Sequence, residues 1–82
     1  MISIQVTSNK DGKPLAGQRA AISYDSFLNG YVSPDVKTDS SGVARIDVEH
    51  RQNAKGKVFI NGRTVQENDY IESFMSFAIE YP

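Results

Sequence analysis

The chain has 82 residues, with nine lysines and arginines against ten aspartates and glutamates, and it has no cysteine. This length fits one small domain spanning residues 1–82, and the lack of cysteine excludes disulfide bonds, thiolate nucleophiles and thiolate-bound metal clusters. Apolar runs are no longer than three residues, as at 20–22, so no transmembrane helix is predicted. No signal peptide is visible either.

These features leave two locations open, the cytoplasm or a larger exported assembly that needs no cleaved signal. Because the sequence starts at Met1 and carries no tag or linker, we expect a whole protein.

Alternation of apolar and polar residues dominates the chain from its first strand onward. Ile2, Ile4 and Val6 alternate with polar residues, which predicts a half-buried strand. Pro14 cannot donate to a central ladder, so residues 13–17 are predicted to be an edge or connecting segment. A second strand is predicted at residues 18–24.

Two hairpins are predicted in the middle of the chain. Residues 36–39 and 43–49 flank a turn in which Asp39 can bond the backbone and Gly42 can adopt a positive φ. Residues 57–60 and 63–65 flank Asn61-Gly62, the pair that favours a type I′ turn.

The C-terminal part is predicted to hold one helical turn near residues 66–70 and a last strand at 73–81. In that strand Met75, Phe77, Ile79 and Tyr81 share one face. Phe74 and Ala78 make the other face partly apolar, so we expect the strand to be covered on both sides. Six to seven short strands predict an all-β, antiparallel two-sheet sandwich or small barrel.

The order of several motifs resembles transthyretin-like and carboxypeptidase-regulatory-like domains, which are small sandwiches similar in outline to bacterial immunoglobulin-like repeats. The motifs are the strand 4–6, the segment Asp11-Gly12-Lys13-Pro14-Leu15-Ala16-Gly17, the strand 20–22, the turn 38–44 and the strand 57–62. The resemblance covers residues 2–62 and implies a transthyretin-like or immunoglobulin-like fold. It does not assign a subfamily.

The resemblance also implies what the chain lacks. The family's enzyme branch, the hydroxyisourate hydrolases, needs several histidines and a C-terminal Tyr-Arg-Gly-Ser, whereas this chain has only His50 and ends at Tyr81-Pro82. We therefore expect no enzymatic activity.

Other catalytic and metal-binding patterns are weak. His50 has no evident nucleophile or second imidazole beside it, which favours a solvated loop histidine. Asp35, Asp39 and the turn at 9–12 lack the spacing of a calcium loop, so they are interpreted as turn residues. No metal or other cofactor is predicted, and glycine-rich phosphate loops are absent from the sequence.

An aromatic segment is the first candidate partner-binding site. Aromatic side chains on a loop of a rigid sandwich often form a binding surface, although the same side chains could close the end of the core. The candidate residues are Tyr24, Phe27, Leu28, Asn29 and Tyr31.

A basic segment is the second candidate. Residues 50–63 hold four basic and no acidic residues, whereas residues 64–82 hold four acidic and no basic ones. Such alternation fits neutralisation across neighbouring strands better than nucleic-acid binding, which usually requires an overall basic excess. The candidate patch comprises His50, Arg51, Lys55, Lys57 and Arg63.

The predicted function is a non-catalytic module for protein–protein interaction or structural support, acting through strand-connecting loops or a sheet edge. Two alternatives stay open: a small-ligand or carbohydrate-binding module, and a component of a phage or secretion-apparatus assembly. The expected partner is another protein, with an oligomer also open and no insertion into a membrane.

Overall fold

The structure is a computed structural model that describes residues 1–25 and 31–80. All regular elements in these ranges are strands, as the alternating sequence predicts. None of the described residues forms a helix that could cross a membrane. The strands are β1 (Ile2–Ser8), β2 (Arg19–Tyr24), β3 (Tyr31–Val32), β4 (Val36–Lys37), β5 (Val43–Ile46), β6 (Lys55–Ile60), β7 (Arg63–Tyr70) and β8 (Phe74–Ile79).

The strands form two sheets that share one core. The three-stranded sheet has the order β5-β1-β8; the five-stranded sheet has the order β3-β2-β6-β7, with β4 also paired to β2. Buried side chains from both sheets make one hydrophobic cluster, which is how a small chain buries enough apolar area to fold. The fully buried members include Ile4 and Val6 from one sheet and Ile22 and Val58 from the other.

The pairing of β1 with β8 corrects the expectation of a purely antiparallel fold. These two strands run parallel, with Ser3 beside Phe74 and Ser8 beside Ile79. Residue patterns encode which face of a strand is buried, but they do not encode the direction of its neighbour. The first and last strands of the chain therefore lie side by side in the same direction.

The hairpin predicted between residues 36–39 and 43–49 is wrong, because the two strands lie in different sheets. β4 pairs with β2 and β5 pairs with β1. The turn itself has the predicted chemistry: Gly42 has a φ of 76°, and a Cβ there would lie 2.7 Å from the Val6 carbonyl oxygen. The turn therefore carries the chain from one sheet to the other.

The second hairpin is confirmed, and the helical turn after it is not. Asn61 and Gly62 have φ angles of 54° and 81° between β6 and β7, as a type I′ turn requires. Residues 66–70, predicted to be helical, belong to β7. Most of β7 is exposed on both faces, so its sequence lacks the alternation that marks a half-buried strand.

Candidate interaction edge

Sheet edges are the first place to look for an interaction surface in this fold, because an edge strand carries backbone groups without a partner. The two sheets have four edges, formed by β5, by β8, by β7 and by the short pair β3 and β4. Natural sheets protect their edges with short strands, bulges, charges or covering loops. Three of the four edges here have such protection.

The β5 edge is only four residues long, and the turn that precedes it protects its first residue. The Asp39 amide donates to the Val43 carbonyl at 3.0 Å, and the Val43 amide donates to the Asp39 carboxylate at 3.1 Å. Both backbone groups of Val43 are therefore bonded within the chain. Arg45 donates through Nη1 to Asp39 Oδ2 at 2.8 Å. Chiefly because of this bond, with a further contribution from the Val43 amide, the pKa of Asp39 lies below its usual value.

The edges of the five-stranded sheet are protected in other ways. The pairing of β7 with β6 shifts register at two places, and Asn68 has a φ of 54°, so bulges interrupt this edge. Glu67 and Asp69 add charge to it. On the opposite side, β3 and β4 are two residues long each, and Pro34 lies between them, so neither offers a continuous edge.

The β8 strand has none of these protections. It pairs with β1 over six positions without a register shift, and its sequence, FMSFAI, contains no charge, glycine or proline. No strand in the described ranges lies along its other side. Uncharged segments of this length and composition are the ones most prone to pair with another strand.

Backbone geometry identifies the unpaired groups of β8. The Ser3 amide donates to the Ser73 carbonyl and the Asn9 amide donates to the Ile79 carbonyl, both at 2.9 Å. Bonds to one neighbour recur at every second residue of a strand, so residues 75 and 77 also face β1. The N–H and C=O groups of Phe74, Ser76 and Ala78 point the other way, and we call these groups the β8 edge.

Side chains of β8 divide between an exposed face and a buried face. Phe74 is 55% exposed and Met75 is 7% exposed. Phe77 and Ile79 pack against the core from the same side as Met75, as the sequence predicts. The expectation that this strand is covered on both sides is wrong within the described structure, because Phe74, Ser76 and Ala78 are exposed.

A groove lies beside the C-terminal half of β8. It has a volume of about 1180 Å³, and its walls come from the end of β6, the start of β7, the end of β8 and the turn after β1. Ile60, Val65 and Ile79 provide apolar lining, and Lys10, Arg63 and Glu80 are the charged residues that line it. We call it the β7–β8 groove.

The predicted aromatic site is only partly within the described residues. Tyr24 is 2% exposed and belongs to the core, so the expectation that it contributes to an exposed binding loop is corrected. Its ring is buried because it lies in the hydrophobic cluster of the core, on the same face of β2 as Ile22. Tyr31 pairs with Tyr24 in β3. Phe27, Leu28 and Asn29 lie outside the described residues.

The predicted basic patch is divided between two ends of the β6–β7 hairpin. Lys55 pairs with Tyr70 at one end and Arg63 pairs with Ile60 at the other, so the length of β6 separates Arg63 from Lys55. Lys57 lies between them and is half-buried. The linear run of basic residues therefore does not form one surface.

The remaining basic residues have structural contacts. The Arg51 guanidinium lies 4.9 Å from the centre of the Tyr24 ring, and the Lys55 ammonium lies 5.4 Å from that of Tyr70. His50 Nε2 lies 3.0 Å from the Ile71 carbonyl oxygen. The histidine is therefore half-buried and bonded, which corrects the expectation of a solvated loop residue.

Acidic side chains in the turns bond their own backbone, as the interpretation of them as turn residues predicts. Asp11 accepts a bond from the Lys13 amide at 3.1 Å, and Asp39 accepts one from the Ser41 amide at 2.8 Å. Residues 1–25 and 31–80 contain no group of three or more metal-ligating side chains.

Comparison with protein-family models, curated proteins and solved structures finds no match for this chain. The candidate site therefore depends on geometry alone. The sequence does contain a signal for it, namely an uncharged six-residue strand between Glu72 and Glu80.

Proposed function

We propose that the chain is a non-catalytic protein-interaction module that binds an extended segment of another protein along the β8 edge. The observation that carries this proposal is that β8 is the one long, regular, uncharged edge among the described strands, while the other edges are protected. Addition of a strand to such an edge supplies main-chain hydrogen bonds to the partner. Unpaired edges that serve no partner are normally blocked, because they promote aggregation.

Strand order supports a transthyretin-like rather than an immunoglobulin-like sandwich. The first two strands of a constant-type immunoglobulin domain lie in one sheet, whereas β1 and β2 lie in different sheets here. In the proposed module, one sheet carries the binding edge. The other sheet supports it through the shared core.

Selection from a library of displayed random peptides about ten residues long tests the proposal, since a strand of this length can cover β8. We expect the selected peptides to bind the native chain and to lose at least tenfold in affinity for Ala78→Pro. Proline removes an edge-facing N–H while leaving the bonds between β1 and β8 in place. The affinities are measured by calorimetry or fluorescence anisotropy.

The matched control pair is Ser76→Lys and Gln5→Lys. These neighbours face the same side of the sheet, and their side-chain oxygens lie 3.4 Å apart. Only Ser76 belongs to the edge strand. We expect Ser76→Lys to weaken binding and Gln5→Lys to leave it within twofold. Equal binding to the native chain, Ala78→Pro and Ser76→Lys would contradict the proposed function.

A further inference from the structure

We infer that the segment bound at the β8 edge inserts an apolar side chain into the β7–β8 groove and has a basic residue opposite Glu72. This inference rests on the proposed function and specifies the chemistry of the partner. It comes from the shape beside the edge and from the charges at its ends.

The groove lies where alternate side chains of an added strand would point. Successive residues of a strand face opposite sides of its sheet, so every second side chain of a partner paired with β8 lies on the core side, next to Phe77 and Ile79. Ile79 also lines the groove, together with Ile60 and Val65. An apolar side chain at this position would contact an apolar surface that the described residues leave open, since Val65 is 36% exposed.

Charge at the N-terminal end of β8 gives the second requirement. Glu72 precedes the strand and Glu80 follows it, and both are exposed. The single ion pair found among the described residues is Arg45 with Asp39. Neither glutamate therefore forms an ion pair with a cation of the described residues. Lys10 and Arg63 line the groove beside Glu80. The charged side chains of residues 64–80 are all acidic. The basic residues near this end, His50 and Lys55, are engaged with the Ile71 carbonyl and the Tyr70 ring, so a basic partner residue is favoured opposite Glu72.

The same charges disfavour a second copy as the occupant. Full antiparallel overlap of two β8 strands places Ser76 opposite its own copy and Phe74 opposite Ala78. Continuing that register places Glu72 opposite Glu80 at both ends. Like charges directly opposite each other destabilise a strand pair, so the chain carries a barrier against pairing with itself.

A charge reversal at Glu72 tests this inference. We expect peptides selected on the native chain to be enriched in lysine or arginine at one end and to have alternating apolar residues. The Glu72→Lys variant should bind them at least tenfold more weakly and select acidic ends instead. It should also form a dimer in analytical ultracentrifugation, because each new lysine lies opposite Glu80 of the other copy in the full-overlap register.

Groove insertion has its own variant. Val65→Asp places a charge in the groove without altering β8, and we expect it to weaken peptide binding about tenfold. Gln66→Asp, at the next position of β7 and outside the groove lining, acts as the control for added charge. Circular dichroism melting establishes that each variant is folded. If Val65→Asp is unfolded, Val65→Ser replaces it, with a smaller loss expected.

The outcomes separate the inference from the proposed function. Peptides that depend on Ala78 but show no basic end and are insensitive to Glu72→Lys would overturn the charge requirement and leave the proposed function standing. Peptides unaffected by Val65→Asp would overturn groove insertion. A native chain that already forms a dimer broken by Ala78→Pro would overturn the heterologous partner. Binding insensitive to Ala78→Pro would overturn the proposed function as well.

Discussion

Tyr24 shows how one side chain of a predicted binding loop serves the stability of the fold instead. Its hydroxyl donates to the Glu49 carbonyl at 3.1 Å and accepts from the Arg51 amide at 3.0 Å. The loop after β5 is therefore attached to the five-stranded sheet through this ring. Arg51, interpreted as part of a basic patch, belongs to the same attachment. His50, from the same loop and the same predicted patch, contacts the Ile71 carbonyl instead.

Removing that hydroxyl is expected to destabilise the protein. Tyr24→Phe leaves one backbone donor and one acceptor without their partner, which costs about 1–2 kcal/mol. Urea unfolding followed by circular dichroism measures the change in the free energy of unfolding. The control is Tyr70→Phe, on a ring that is 47% exposed, for which a change within about 0.5 kcal/mol is expected. Equal effects of the two variants would contradict the attachment.

Asp39 gives a pH-dependent prediction at the β5 edge. The bonds from Arg45 and from the Val43 and Ser41 amides lower its folded-state pKa. Stability from this lowering is fully present above the unfolded pKa of about 3.9 and is lost as the pH falls through the folded pKa. The carboxyl resonance of Asp39 should therefore titrate below its ordinary value.

The contribution of Arg45 can be isolated in the same titration. Arg45→Gln removes the largest cause of the lowered pKa, so the Asp39 midpoint should rise. It should stay below the ordinary value, because both backbone amides still donate. A midpoint unchanged by Arg45→Gln would show that the turn amides alone determine the pKa.

At the scale of elements, the orientation of β8 makes a prediction that a one-residue slip would reverse. Met75→Ala removes a buried side chain and should cost about 2–4 kcal/mol. Phe74→Ala removes a larger but exposed side chain and should cost about 1 kcal/mol or less. Thermal or urea unfolding compares them. A larger loss for Phe74→Ala would place the wrong face of β8 against the core.

Strands whose determinants are local could be predicted from the sequence. The alternation in β1 identifies its buried face. Asn61-Gly62 specifies the β6–β7 hairpin because few pairs of residues adopt a positive φ at both central positions of a turn. The partners of β4 and of β5, which are β2 and β1, could not be predicted in this way. The turn between them has the same chemistry whether it joins neighbours in one sheet or strands in two sheets, and long-range pairing decides which.

The candidate site was only partly predictable for a related reason. Composition shows that residues 74–79 form an uncharged strand, but whether a strand lies at an edge depends on which strands pair on either side of it. The predicted basic patch is not one surface in the structure, because residues close in sequence lie at opposite ends of a hairpin. Arg63 pairs with Ile60 at the turn end of the β6–β7 hairpin, whereas Lys55 pairs with Tyr70 at its other end.

At the scale of the whole molecule, edge protection and strand order fit together. The turn at Asp39 covers β5, bulges and charges protect β7, and β3 and β4 are too short to pair further. Long uncharged edges are normally blocked because they promote aggregation, and for this reason we assign a function to β8. In our account that function is to pair with another protein.

Amide hydrogen exchange on β8, without and with a selected peptide, tests this central claim most directly. In the free chain, the amides of Phe74, Ser76 and Ala78 should exchange fast while those of Met75, Phe77 and Ile79 are protected by β1. Addition of peptide should protect the first three as well. Protection that appears instead at residues 31–36 or 51–57, or edge amides that are already slow in the free chain, would contradict it.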